Sequence, residues 1–240
     1  MKNLKVKLRK IILLTGLTLT GITLYECYSW DIMGKMYSPA PPAPPKQLRV
    51  FVTSLNTMGD LAFMSMIPQC IGTGIFNANC ACQQLAFNAN MAQNGAVYNA
   101  WLSDSTTDAI CNIIGRKGQK LAQCGGYTTN ANYVDVNGNL LFNSWDDIKS
   151  GKIPNRPINI TENKTTTASL NAWTGTVSGG VGGTSYCPNG TMDWGNLGSG
   201  MVGNTQNALY WTTDTLSFGA SFGSTACATM TYPIYCFEQP

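Results

Sequence analysis

The sequence predicts an α+β domain with an antiparallel core, stapled by disulfides and carried behind an export leader. Short β-branched and aromatic runs occur with two helical patterns, the mixture expected of an α+β fold. Eight cysteines, an even set, lie beyond the leader, and disulfides are the default reading for such a set in an exported chain. A content of 44% apolar and only 11% charged residues suits a packed chain rather than a disordered one.

The leader comes first. Lys2, Lys5, Lys7, Arg9 and Lys10 precede an uncharged, mostly apolar stretch over residues 11–25, which are the n-region and h-region of a secretory signal. At ~1.5 Å per residue that stretch covers about 22 Å, short of the ~30 Å hydrocarbon core, so a stable spanning helix is the weaker reading. No Ala-x-Ala-like triplet marks a cut, and Leu24-Tyr25-Glu26-Cys27 places Tyr and Glu where a lipobox carries small residues. Cleaved secretion, lipidation at Cys27 and an uncleaved anchor all stay open. A pilin-like processing site at Gly21 to Glu26 is excluded, because Asp31, Lys35 and a proline tract follow where a pilin continues its apolar helix. The expected organisation is a signal peptide or membrane anchor over 1–27, a Pro-rich linker over 28–47 and a domain over 48–240. The tract Ser38-Pro39-Ala40-Pro41-Pro42-Ala43-Pro44-Pro45 favours polyproline II and at ~3.1 Å per residue would span about 25 Å.

Within the domain, Leu48-Arg49-Val50-Phe51-Val52-Thr53-Ser54 reads as a first strand. Residues 57–79 show no period. From Cys80 to Gln93, Leu85, Ala89 and Ala92 recur at helical spacing with Cys82 near the start, and Gly95 supplies a stop. Val97-Tyr98-Asn99-Ala100-Trp101-Leu102 is a second strand, followed by a turn or cap at residues 103–107. Tyr133-Val134-Asp135-Val136 and Leu140-Leu141-Phe142 flank Asn137-Gly138-Asn139, a hairpin signal because Asn-Gly tolerates positive φ. Ser144-Trp145-Asp146-Asp147 opens a short helix ending at Gly151. Residues 172–176 and 234–238 are further strands, and between them lies a long region of Gly, Ser, Thr and Asn.

Composition excludes several function classes. There is no histidine, so Ser-His-Asp and Cys-His catalysis, His-ligated zinc and haem, and histidine pH switching have no means here. Without residues 1–27, which hold five of the fifteen basic residues and Glu26, the formal charge falls from +3 to −1. That leaves no electrostatic footprint for nucleic acid. Cys80-x-Cys82 is too closely spaced for one tetrahedral metal, so no metal and no cofactor is expected. The Asn-x-Thr triplets at Asn159, Asn163 and Asn189 read as surface loops.

Arg49-Val50-Phe51-Val52-Thr53-Ser54, the helix around Cys82, Ala100-Trp101-Leu102-Ser103-Asp104-Ser105, the 133–142 hairpin with Trp145, Arg156-Pro157-Ile158, Ala172-Trp173-Thr174-Gly175-Thr176 and Tyr235-Cys236-Phe237-Glu238 come in a characteristic order. Over residues 48–239 that order resembles a bacterial exported domain family of unknown function, which is similar to endostatin and, more distantly, to C-type lectin domains. The resemblance implies a C-type-lectin-like domain with an antiparallel sheet, two flanking helices, chain ends meeting as adjacent strands, and long late loops as the recognition face. It also implies that Cys82 pairs with Cys236 and Cys187 with Cys227. Cys70, Cys80, Cys111 and Cys124 lie in stretches longer than the family's pattern and are expected to pair locally, Cys70 with Cys80 and Cys111 with Cys124. The histidines of an endostatin zinc site and the triplets of a calcium-dependent lectin have no counterpart here beyond Trp194-Gly195-Asn196.

The functional expectation is a non-enzymatic, surface-displayed ligand-binding or adhesion module, exported to the cell surface, periplasm or extracellular space. It would recognise a protein or glycan of a host or neighbouring cell, meeting the membrane only through its N-terminal segment. A receptor diversified by retroelements is a special form. Trp194, Asn196, Tyr210, Trp211 and Asp214 in the late region are the expected ligand contacts, since aromatic rings beside amides and carboxylates suit sugar stacking or protein anchoring. For each indole the competing reading is core filling beneath the loops. The alternatives are an envelope hydrolase using a carboxylate pair such as Asp104 and Asp193, and a structural envelope or filament subunit.

Overall fold

The last strand of the chain pairs with the first, and this closure organises the sheet. The computed structural model describes residues 43–62, 66–183, 186–187, 194–195, 199–213 and 226–240, so the leader and most of the linker lie outside it. The described elements are β1 (Lys46–Val52), α1 (Gly74–Asn88), β2 (Tyr98–Ala100), α2 (Ala109–Asn112), α3 (Leu121–Cys124), β3 (Ala131–Asp135), β4 (Leu140–Phe142), α4 (Trp145–Lys149), β5 (Asn171–Trp173), β6 (Val202–Asn204), α5 (Ala226–Thr229) and β7 (Tyr235–Glu238). Five strands form one sheet in the order β2-β7-β1-β3-β4, and β5 and β6 form a separate ribbon. Residues from Pro45 onward form one compact unit.

The fold is therefore α+β, as expected, but the sheet is mixed rather than antiparallel. β1 and β3 run parallel, with Lys46 opposite Ala131 and Val50 opposite Asp135, whereas β1–β7, β2–β7 and β3–β4 are antiparallel. Parallel neighbours require a crossover connection. Here α1, β2, α2 and α3 supply it, and nothing local in either strand announces the pairing. The helices number more than the two expected among the described residues, because α2, α3 and α5 are single turns of four residues without a readable period.

The period of two along the strands divides the interior into two cores. Phe51 and Cys236 face one core, where α1 packs through Ile75, Ala78, Cys82 and Leu85. Val50, Val52, Tyr235 and Phe237 face the other, with Trp101, Phe142, Trp145 and Trp211. The helix begins six residues before the expected Cys80, because buried asparagines interrupt its apolar pattern. Asn77 donates to the Leu61 carbonyl at 2.7 Å. Asn79 exchanges 2.9 Å bonds with Asn112 and accepts the Ala100 N–H at 2.8 Å, which ties α1 to α2 and β2. The hairpin and the short helix follow their local signals. Asp135 accepts the N–H groups of Asn137 and Asn139 at 2.9 Å across the turn, and Ser144 caps α4 by accepting the Asp147 N–H at 3.1 Å.

Four disulfides staple this unit: Cys70–Cys80, Cys82–Cys236, Cys111–Cys124 and Cys187–Cys227. Two of these are the pairs that the family resemblance implies and two are the local pairs. Among the described residues no helix is long and apolar enough to cross a membrane. Loop closure orders their contributions, since Cys82–Cys236 spans 154 positions and Cys111–Cys124 spans 13. In the chain-entropy model removing the first costs about 5 kcal/mol and the second about 3 kcal/mol. Urea unfolding of C82A/C236A and C111A/C124A is expected to reproduce that order; a loss under about 1 kcal/mol for C82A/C236A contradicts it.

Candidate functional site

The late segment is fastened from below. β5 is tied to the segments flanking the main sheet through Trp173, whose N–H donates to the Pro233 carbonyl at 2.9 Å and whose indole donates to the Thr57 carbonyl at 2.8 Å. Trp194 stands edge-on to Trp173, with ring centroids 6.2 Å apart, and donates its indole N–H to the Ser103 carbonyl at 2.9 Å. Gly175 holds φ +59°, and a Cβ there would lie 2.6 Å from both that carbonyl and the Trp194 ring. The position therefore demands glycine on conformation and on space. Trp211 fills the opposite core, 4.8 Å from Trp101 and 5.4 Å from Phe142, and the Trp101 indole donates to the Thr212 hydroxyl at 2.9 Å.

These positions correct part of the expected site. Trp194 and Trp211 are buried in two different cores, so neither ring offers a ligand a stacking face. Both satisfy the bland alternative, core filling beneath the loops. Their Gly-rich neighbours in sequence resemble loop, and only the tertiary pairing with Trp173 and Trp101 reveals the burial. Tyr210 is half-buried and ends the single turn Ala208–Tyr210, which Asn207 caps by accepting the Leu209 N–H at 3.0 Å. Leu209 beside it is 54% exposed. Asn196 and Asp214 lie outside the described residues, as does Asp193. Asp104 Oδ1 serves a local turn, accepting the N–H groups of Thr106 and Thr107 at 2.8 and 2.6 Å. That use engages one oxygen of the expected acid–base member as a turn cap.

Two depressions among the described residues bear on function. The first, an open groove of about 680 Å³ beside the late segment, is lined by Asp108, Lys120, Leu121, Ala122, Val181, Gly182, Gly183 and Tyr186. Asp108 is buried at its base and accepts from the Gly182 N–H at 2.9 Å, the Leu121 N–H at 2.8 Å and the Lys120 ammonium at 3.3 Å. Lys120 also donates to the Asp104 carbonyl at 2.8 Å. The carboxylate thereby fixes the late segment to α2 and α3, and its acceptor capacity is largely used in doing so.

The second depression, about 490 Å³, opens where α1 ends at Asn88 while the sheet beneath it continues. The strand positions that would face the helix there are polar: Arg49 on β1, two positions before Phe51, and Glu238 on β7, two after Cys236. Glu238 is 9% exposed. Its Oε2 accepts the Arg49 backbone N–H at 3.0 Å and the Tyr98 hydroxyl at 3.2 Å. Burial, then the charge of Glu238, raises the Tyr98 phenol far above its ordinary value against the opposing pull of Arg49. Tyr98 is thus held as a neutral donor. Residues 90–97 form the facing wall, and the Gln239 N–H closes one end on the Val97 carbonyl at 2.7 Å. No sequence signal joined these groups, since 189 positions separate Arg49 from Glu238.

Among the described residues no group of three or more His, Cys, Asp or Glu could hold a metal ion. Comparison with protein-family models and with curated proteins gives no match.

Two outcomes follow from these contacts. Gly175→Ala is expected to cost at least about 2 kcal/mol and to change the near-ultraviolet tryptophan signal, because strain and overpacking fall on the Trp194 contact; an unchanged melting temperature contradicts the anchoring. Burial also raises the Tyr133 phenol, with Tyr127 and Glu238 adding to it. Both tyrosines have folded-state values above the unfolded value of about 10, so the stability they contribute is complete below that pH and drains as pH rises beyond it. Alkaline spectrophotometric titration should leave at least two tyrosines un-ionised until the chain unfolds; smooth titration of all tyrosines in the folded state opposes this.

Proposed function

We propose that this chain is an exported, surface-displayed binding or adhesion module of the C-type-lectin-like kind, whose late loops recognise a protein or glycan on a host or neighbouring cell. The observation that carries the reading is the construction of the late segment. Its base is immobilised by Trp173, Trp194, Trp211, Asp108 and the Cys187–Cys227 bridge, while Leu209 and Tyr210 form a partly exposed rim on the turn Ala208–Tyr210. A rigid base beneath an apolar and aromatic rim lowers the ordering cost of binding.

The fold supports the lectin-like part of the proposal. The first and last strands are neighbours, the helix cysteine is bridged to the last strand, and a second bridge lies under the late segment. Four disulfides suit an oxidising compartment, which supports export. Recognition rather than catalysis is supported by a sequence without histidine and by the engagement of Asp104 and Asp108 in turns and anchoring.

The test is a glycan array together with a panel of matrix and cell-surface proteins, probed with the full chain and with L209A/Y210A. The proposal expects a saturable binder whose affinity falls at least about tenfold in the variant with the melting temperature unchanged. It fails with no binder at micromolar concentration, or with binders indifferent to the substitutions. Assembly of the purified chain into filaments would replace the proposal with a structural subunit.

A further inference from the structure

We propose that the cleft between the end of α1 and the strands β1, β2 and β7 is a second binding site, one that takes an acidic saccharide of the uronic-acid type. It shares no residue with the late-loop reading.

The lining dictates the ligand class. Arg49 and Lys46 are donors without acceptor capacity, the Glu238 carboxylate is an acceptor, and the side-chain amides of Asn90, Gln93 and Asn94 are both. A compound bearing several hydroxyl groups, each donor and acceptor at once, satisfies such an interleaved set; an apolar or aromatic ligand would strand it. Glu238 adds direction. Its Oε2 is taken by the Arg49 N–H and the Tyr98 hydroxyl, so the group is held rigidly and its second oxygen remains for a ligand hydroxyl. Because Tyr98 stays protonated, this arrangement persists across the neutral range.

Charge narrows the class further. Among the side chains of the lining, two cations stand against one carboxylate. The Arg49 side chain is exposed, and beyond its contact with the Tyr98 hydroxyl its guanidinium has further N–H donors suited to pairing with a carboxylate. A neutral sugar would leave those donors to water, and a uronic acid occupies them. Met91 and Val97 supply the small apolar surface that the C–H face of a pyranose needs, Val97 being 43% exposed. The volume of about 490 Å³ falls within the ~300–1,000 Å³ of small-molecule sites and accommodates one or two rings.

The geometry also explains why polar residues interrupt the helix-facing row of both strands. A carboxylate nine-tenths buried is costly unless its bonds are supplied, and apolar residues at positions 49 and 238 would have extended the core over the helix end at no such cost. Burying a charge beside a water-accessible cleft is the arrangement of a site rather than of a core.

The test is isothermal titration of the full chain with digalacturonic acid, with its methyl ester, with the corresponding neutral disaccharide and with acetate. Digalacturonic acid is expected to bind saturably, the ester and the neutral sugar at least tenfold more weakly, and acetate not at all. R49Q removes an exposed side chain while retaining the backbone N–H that Glu238 uses, so it should fold normally and lose at least tenfold in affinity. E238Q should lose a comparable amount. L209A/Y210A should bind undiminished, which separates failure here from failure of the late-loop reading. Absence of saturable binding by mono- and digalacturonate and glucuronate, equal binding of acid and ester, equal binding of acetate, or a fully active R49Q would each overturn the proposal.

Discussion

The covalent tie between Cys82 in the middle of α1 and Cys236 in the last strand is the constraint on which the remaining architecture rests. Like β1, β7 has a core on each side, for Cys236 faces α1 while Tyr235 and Phe237 face the aromatic cluster around Trp101 and Trp211. Fixing the helix to this strand sets where the helix lies on the sheet. It therefore also sets where the helix stops covering it. The cleft with Arg49, Tyr98 and Glu238 exists because the strands outrun α1, and the crossover that makes β1 and β3 parallel departs from the same helix.

The late segment obeys a different logic. Its described residues contain little regular structure, and their order comes from single side chains reaching inward: the indoles of Trp173 and Trp194 to backbone carbonyls, the Asp108 carboxylate to the Gly182 N–H, and a bridge at Cys187. Such anchoring leaves the outer residues free to vary without disturbing the fold, because none of the inward contacts depends on Leu209 or Tyr210. A scaffold with this division of labour suits recognition, where the rim specifies the partner and the base keeps it in shape.

Local signals in the sequence were reliable where the physics is local. Asn137-Gly138 marks the β3–β4 turn because Asp135 and the glycine meet its backbone demands within four residues, and Ser144 marks the start of α4 by capping it. The strands β1 and β7 are legible from their β-branched and aromatic content. The start of α1 is not, since Thr73 makes no side-chain cap and Asn77 and Asn79 spend their amides on Leu61, Asn112 and Ala100, partners far along the chain. The parallel pairing and the burial of Trp194 and Trp211 likewise depend on distant partners. For the cleft, one clue was present: Arg49 and Glu238 are polar residues in the strand positions that alternate with Phe51 and Cys236, where a wholly helix-covered sheet would be apolar.

Non-reducing peptide mapping by mass spectrometry tests the central claim most directly. A cross-linked peptide pair containing Cys82 and Cys236, found together with pairs joining Cys187 to Cys227, Cys70 to Cys80 and Cys111 to Cys124, is the result this architecture predicts. Cys82 recovered as a free thiol, or joined to any cysteine other than Cys236, would detach α1 from the last strand and contradict the fold, the anchored late segment and the cleft together.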